Sequence, residues 1–290
     1  MGQLRNIIRG LLLALGLGGA VGGTVDIGAA ASIPPSPQRI VSLLPSLTEA
    51  VCALGACDQL VATDRYSNAP AQVLALPKVG GLEDAQIERI VALKPDVVLA
   101  TRATRAVERL QALGLRVVLI EATSHAEAHQ MLTRLGEVLG RAEQAQKLWQ
   151  QIEAQVQQAV ARVPAALRGR KVYVEVDAGP YAAGPTSFLG ETLARLGLYN
   201  IVPASFGPFP KLNPEFVVRA QPDLILVMER SPEELARRPG WAQLRALQRQ
   251  QVCAFERARY DILVRPGPRL GEAAQLLADC LTTLAGRAVP

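Results

Sequence analysis

Glu88-Arg-Ile-Val-Ala-Leu-Lys-Pro-Asp-Val-Val-Leu99 recurs as Glu215-Phe-Val-Val-Arg-Ala-Gln-Pro-Asp-Leu-Ile-Leu226, at an offset of 127 residues throughout. Each copy reads as a short helix, a Pro-Asp break and a buried strand. Proline disfavours helix in the residue before it. A short apolar, β-branched run bounded by turn residues marks a strand covered on both faces. A weaker similarity follows each copy, residues 110–118 against 244–252. A period this long does not fit a solenoid. It fits two similar lobes.

The same pattern extends outward from both copies. Residues 39–43, 59–63, 97–100 and 116–120 read as strands, and 88–93 and 106–113 as helices. Ser46-Leu-Thr-Glu49 reads as a capping box opening a helix that stops at Gly55. Strand–helix alternation of this kind implies a parallel-rich sheet. A long helical pattern then runs from about residue 126 to 163, with a break expected near Gly136 or Gly140. Its second part, 142–162, has no Gly or Pro and is strongly helical by composition. Alternation restarts at residue 171. The expected fold is α/β, with two Rossmann-like lobes of parallel-rich sheet joined by one long backbone helix and a ligand cleft between them. The expected boundaries are 39–141 for the first lobe, 142–164 for the helix and 165–290 for the second lobe.

Composition narrows the function. The chain has 290 residues, 49% of them hydrophobic and 20% charged, which supports real cores and excludes disorder throughout. Only one long apolar run exists, so a polytopic membrane protein is excluded. The formal charge of +5 is spread along the chain with no basic stripe, so no nucleic-acid partner is expected. Arg5 and Arg9 precede an apolar stretch at 11–21, and Gly28-Ala-Ala-Ala-Ser32 follows. This is the pattern of a secretory signal, here 1–31, cut after Ala31. Its apolar core is short of the roughly 20 residues that span a bilayer. No Cys follows it closely, so no lipid anchor is expected. Residues 32–38, with Pro34, Pro35 and Pro37, read as a tether, and the destination as the periplasm. Export permits disulfides. Cys52, Cys57, Cys253 and Cys280 allow three connectivities, of which pairing by neighbourhood is the simplest. Free buried thiols stay open, and the absence of CxxC spacing argues against zinc.

No HExxH, GxSxG or GxxxxGK[ST] is present, and no enzyme is expected. His125 and His129 stand at i, i+4, a metal half-site that would need Glu121 or Glu127, or else the solvated start of a helix. Glu88 and Glu215 hold the same place in each copy. They either complement a helix dipole or present one carboxylate per lobe to a basic partner. Tyr66, Tyr181, Phe206, Phe209 and Trp241 fall in segments after strand ends or turns, where open α/β sheets bind ligands. Trp149, in mid-helix, is expected in the core. Gly80-Gly81 would let backbone approach a ligand closely. Arg265-Pro-Gly-Pro-Arg269 could hold an amide, phosphate or carboxylate.

With these residues placed, the chain resembles the periplasmic substrate-binding proteins of ABC importers, of the helical-backbone type. The resemblance rests on Arg39-Ile-Val-Ser-Leu-Leu-Pro-Ser-Leu-Thr-Glu49, Leu54-Gly-Ala56, Val79-Gly-Gly81, 88–96 and Tyr173-Val-Glu-Val-Asp177. Ala183-Gly-Pro-Thr-Ser-Phe188, Pro222-Asp223 and 265–269 complete it. Within that superfamily, which also takes ferric siderophores and haem, it looks most like the cobalamin-binding proteins. It implies a monomer that docks on a membrane permease through Glu88 and Glu215. It also implies a corrinoid cargo, rather than a cofactor, held in a cleft covered by Tyr66, Tyr181 and Phe209. Gly81, Leu82, Phe206 and Arg265 are further candidate ligand contacts. Haem would take Tyr66 or Tyr181 as axial ligand, and a siderophore would rely on Arg65, Arg102 or Arg265. The usual family aromatics are absent at Leu82-Glu83-Asp84. Cys280 fits a family disulfide position whose usual partner region, 196–198, has no Cys, and Cys253 could substitute.

Overall fold

The computed structural model describes residues 36–177, 181–228 and 230–287. The signal segment at 1–31 and the first residues of the tether lie outside the described residues. The first lobe runs β1 (Ile40–Ser42), α1 (Pro45–Ala53), β2 (Leu60–Thr63), α2 (Ile87–Ala92), β3 (Val97–Ala100), α3 (Val107–Ala112) and β4 (Val117–Leu119). Two antiparallel-packed helices follow, α4 (His125–Leu139) and α5 (Ala142–Arg162). The second lobe runs β5 (Lys171–Asp177), β6 (Tyr181–Ala182), α6 (Phe188–Arg195), β7 (Tyr199–Asn200), α7 (Pro214–Ala220) and β8 (Leu224–Met228). It ends with α8 (Pro232–Ala236), α9 (Arg245–Gln248), β9 (Val252–Phe255), α10 (Arg257–Leu263) and α11 (Leu270–Arg287).

The two sheets share one topology. In the first lobe the order is β2-β1-β3-β4, all parallel. In the second, β5 lies between β7 and β8, β9 follows β8, and these four are also parallel. The short β6 adds antiparallel to β5. The sequence repeat is thus a structural repeat, down to its turns. Lys94 and Gln221, which correspond across the repeat, both have φ 47°. Asp96 and Asp223 then perform the same task. Asp96 Oδ2 accepts the amides of Gln38 and Arg39 at the start of β1 (2.7 and 2.9 Å). Asp223 Oδ2 accepts the amide of Lys171 at the start of β5 (2.9 Å). The Pro-Asp pair therefore ends a helix and staples the next strand to its neighbour.

The helix pattern divides at Gly140, whose φ of 66° ends α4 in a left-handed cap. Gly136 lies within α4, and its missing side chain lets α5 approach, since a Cβ there would fall 2.7 Å from Ala145 Cβ. The capping box expected at Ser46 does not form. Pro45 takes the first helical position, for which its fixed φ and missing N–H suit it, and moves the start to Leu44. Ser46 and Glu49 are thereby carried into the helix and buried. The S-x-x-E pattern works instead at Ser124, whose hydroxyl accepts the amide of Glu127 (3.2 Å), and as a complete box at Ser231 and Glu234.

One apolar cluster runs from the inner faces of β1 and β3 through α1, α4 and α5 to α6, α11 and the inner face of β8. Separate clusters cover the outer face of each sheet. The long helices belong to the continuous cluster, so the backbone helix is a packed layer and not a bare strut. Cys52 is joined to Cys57 and Cys253 to Cys280.

Candidate functional site

Parallel strands leave a sheet at one edge, and the segments following them are free to form a site there. In the first lobe this edge carries Tyr66. Its loop is held from below by side chains whose role sequence reading missed. Asp64, 1% exposed, accepts the Tyr66 amide through Oδ1 (2.7 Å) and also the Ser67 hydroxyl. Ser67 Oγ also lies 2.8 Å from Thr48 Oγ1, and Thr48 Oγ1 lies 2.9 Å from Ser42 Oγ. Lys78 Nζ closes the loop on Thr63 Oγ1, Ser67 O and Val73 O at 2.8 to 3.0 Å. Burial pushes the Asp64 carboxyl above its usual range, against the hydrogen bonds from Ser67 and Tyr66. Burial also lowers the Lys78 ammonium, with Asp64 opposing. An aspartate accepting the amide two residues on is an Asx turn, so Asp64-Arg-Tyr66 was a legible signal.

The consequence is an aromatic ring fixed at its base and open at its face. Tyr66 is 59% exposed. A Cβ on Gly81 would lie 3.2 Å from its ring, so the glycine lets the ring rest on backbone. Tyr66, Gly81 and Leu82 come together with Leu43 and Pro45 around a cavity of about 220 Å³. Arg65 is ion-paired with Asp84 beside it.

The second lobe supplies an aromatic wall. Tyr181 lies on β6, which is tied to the following loop by Ala182 N–H to Pro210 O (2.9 Å) and Gly184 N–H to Pro208 O (2.7 Å). Gly184 allows this approach, because a Cβ there would run into Gly207 O. Phe209 rests on Phe188, with centroids 5.8 Å apart, and Phe206 on Phe216 at 5.9 Å. Tyr181, Phe206 and Phe209 still expose 39, 50 and 36% of their surfaces. Trp241 does not join them. It is fully buried, edge-on to Tyr173, with the Arg238 guanidinium 4.5 Å over its ring. The Pro-Gly turn before it enters the outer core rather than the cleft. Arg238 also grips buried Glu175 through two bonds of 2.6 and 2.8 Å, and Arg230 approaches the same carboxylate at 3.5 Å. Arg230, just past the exit end of β8, was not singled out from the sequence.

Polar contacts join the lobes on two flanks. On one flank, Arg265 donates to Glu49 Oε1 and Asn68 Oδ1 (both 2.7 Å), to Asp261 Oδ2 (2.9 Å) and to Tyr66 O (3.3 Å). Its side chain is 11% exposed. The guanidinium is thus committed to internal partners, the Tyr66 carbonyl among them. Asn68 Nδ2 adds a bond to Asp261 (2.9 Å). Burial raises the Glu49 carboxyl, while Arg265 and Arg269 lower it. On the other flank, the Phe188 amide bonds Thr123 O (2.5 Å), beneath the ring that carries Phe209.

His125 lies on that second flank. Nε2 meets Thr192 Oγ1 (2.8 Å) and Phe188 O (3.1 Å), and Arg195 lies 3.3 Å from Nδ1. Those partners suit a neutral ring with its proton on Nε2. Burial and Arg195 both push its pKa below the usual histidine value. His129 stacks on Trp149 instead, at 4.6 Å. The metal half-site therefore does not assemble: both nitrogens of His125 face protein partners. Among the described residues no group of three or more His, Cys, Asp or Glu could hold a metal ion. Nor is any described helix long and apolar enough to cross a membrane.

Glu88 and Glu215 are exposed, each in the first turn of its helix. A crossover helix starts at the exit edge of a parallel sheet, so each glutamate stands on the rim of its own lobe.

The family described as periplasmic binding protein matches residues 40–257. The chain is 28% identical to the uncharacterized ABC transporter substrate-binding lipoprotein YvrC of Bacillus subtilis, over 86% of this chain and 82% of the relative. It is 30% identical to the vitamin B12-binding protein of Photorhabdus laumondii, over 86% and 90%. Among solved structures it is similar to the periplasmic vitamin B12 binding protein BtuF of Vibrio cholerae (27% identity, 87% and 99% covered, TM-score 0.71). It is equally similar in fold to the periplasmic heme-binding protein RhuT of Roseiflexus sp. RS-1 (25%, 86% and 99%, TM-score 0.73).

Proposed function

The chain belongs to the periplasmic binding protein family, and we propose that it carries a cobalamin-type corrinoid to the permease of an ABC importer. The observation that carries this reading is the set of exposed aromatics at the exit edges, Tyr66 from one lobe and Tyr181, Phe206 and Phe209 from the other. Large exposed apolar groups mark a binding surface. Flat, polarisable rings suit the faces of a corrin macrocycle. The vitamin B12-binding relatives support the same cargo.

Several features follow from this reading. Residues 1–31 direct export and are removed, 32–38 tether the fold, and the protein works as a monomer in the periplasm. Glu88 and Glu215 dock on basic residues of the permease, one per lobe. Gly81 and Leu82 complete the first-lobe wall. No chemistry is performed on the cargo. Arg265 acts as a positioning residue for the Tyr66 loop rather than as a ligand contact.

The test is calorimetric titration with cyanocobalamin, haemin and a ferric hydroxamate in parallel. Saturable one-to-one binding of cyanocobalamin alone is expected. Binding of haemin or the hydroxamate in its place would overturn the cargo and leave the family role standing. Docking is tested separately with Glu88→Lys and Glu215→Lys together: transport should fail while ligand affinity is unchanged. Preserved transport would remove both glutamates from the docking role.

A further inference from the structure

At the edge opposite the cleft, the second lobe holds a cavity of about 510 Å³ lined by Arg170, Arg245, Arg249 and Arg287. Leu224, 1% exposed, forms part of its wall, and Asp223 is its one carboxylate among the described residues. Arg170, Asp223 and Leu224 stand where β5 and β8 begin, so the cavity lies at the strand-entry edge. The arginines arrive from three places in the chain: just before β5, the two ends of α9 and the end of α11.

No ion pair among the described residues includes any of the four. Arg170 Nε reaches Ala166 O at a long 3.4 Å. Asp223 is turned to the Lys171 amide by its staple. The other lobe offers an internal control. The arginine that enters its central strand β1, Arg39, donates to Leu93 O from Nε and Nη2 at 3.0 and 2.7 Å. Elsewhere in the second lobe, Arg230, Arg238, Arg265 and Arg269 all have carboxylate partners. Four like charges around one hollow repel one another, and a bound anion relieves that cost.

We propose that this cavity is a binding site for a soluble anion carrying phosphate groups, separate from the transport cleft. Planar guanidinium forks match phosphate oxygens in pairs, and four of them suit a multivalent anion over a single carboxylate. Because the cavity opens at the edge away from Glu88 and Glu215, it stays accessible when the exit edge is occupied. The inference does not rest on the identity of the cargo.

Pyrophosphate is the probe, titrated into the purified protein at low ionic strength by calorimetry. One-site binding is expected, weakening as salt is added. Arg245→Ala with Arg249→Ala should weaken it about tenfold or more, since bonds to charged groups are the strong ones. Arg109→Ala with Arg116→Ala removes the same charge from exposed positions in the first lobe and should leave affinity unchanged within about twofold. Absence of saturable binding would overturn the site. So would an equal loss in both double variants, which would reduce it to net charge. Sedimentation with phosphatidylglycerol and phosphatidylcholine vesicles tests the other source of phosphate. Neither should capture the protein, and capture by phosphatidylglycerol without pyrophosphate binding would overturn the soluble-anion assignment.

Discussion

The two lobes share their turns and staples where their strands begin and are unlike where their strands end. At the entry edge each has a left-handed residue, a Pro-Asp pair and an aspartate stapling the next strand. At the exit edge the first lobe offers one exposed ring on a polar, hydrogen-bonded base. The second offers three exposed rings packed on further aromatics. The repeat therefore provides two equivalent frames, and binding character comes from what each frame carries at its rim. Buried charge divides in the same way. Glu175 is answered within its own lobe, whereas Glu49 is answered from the other.

That division predicts unequal damage. Arg265→Ala would leave Glu49 buried without its main partner and should destabilise the protein by about 3–5 kcal/mol, the usual result of breaking a buried pair. It should also loosen the Tyr66 loop. Arg238→Ala should cost less, because Glu175 keeps Arg230 at 3.5 Å and the Tyr173 hydroxyl at 3.2 Å, whereas Glu49 keeps Arg269 at a longer 3.8 Å. Denaturant unfolding of both variants checks the order, and equal losses would mean that the interlobe pair has no special weight. The staples come next. Asp96→Ala loses two amide bonds and Asp223→Ala one. At about 1 kcal/mol or more per bond, the first should be the more destabilising by roughly that amount. A reversed order in thermal unfolding would contradict the equivalence of the two frames.

The smallest effect is a slope with pH. The fold holds His125 neutral and depresses its pKa, so the unfolded chain takes up the proton first as pH falls. Its contribution is fully present above the ordinary histidine pKa of about 6.5 and is lost as pH drops toward the lower folded value. His125→Gln should flatten the stability profile in that window. An unchanged slope would show that the second flank does not sense protonation.

Much of the frame was legible because it repeats and because its signals are local. The limits of β3 follow from an apolar run between Asp96 and Thr101, and the division of the long helical pattern from Gly140. Ser46-Leu-Thr-Glu49 misled because proline one residue earlier outweighs a capping serine. Trp241 misled because a turn does not reveal which side of the sheet its next residue enters. Arg265 and His125 were visible as residues but not in their roles. Their partners are contacts across the chain, Glu49 to Arg265 and His125 to Thr192, which no local pattern encodes.

In the proposed function both rims meet one ligand. Cyanocobalamin affinity should therefore be measured for the wild type, Tyr66→Ala and Phe209→Ala. Each substitution is expected to weaken binding about tenfold or more, from lost aromatic contact, with the fold intact. Full affinity after either loss would contradict a cleft shared by the two lobes.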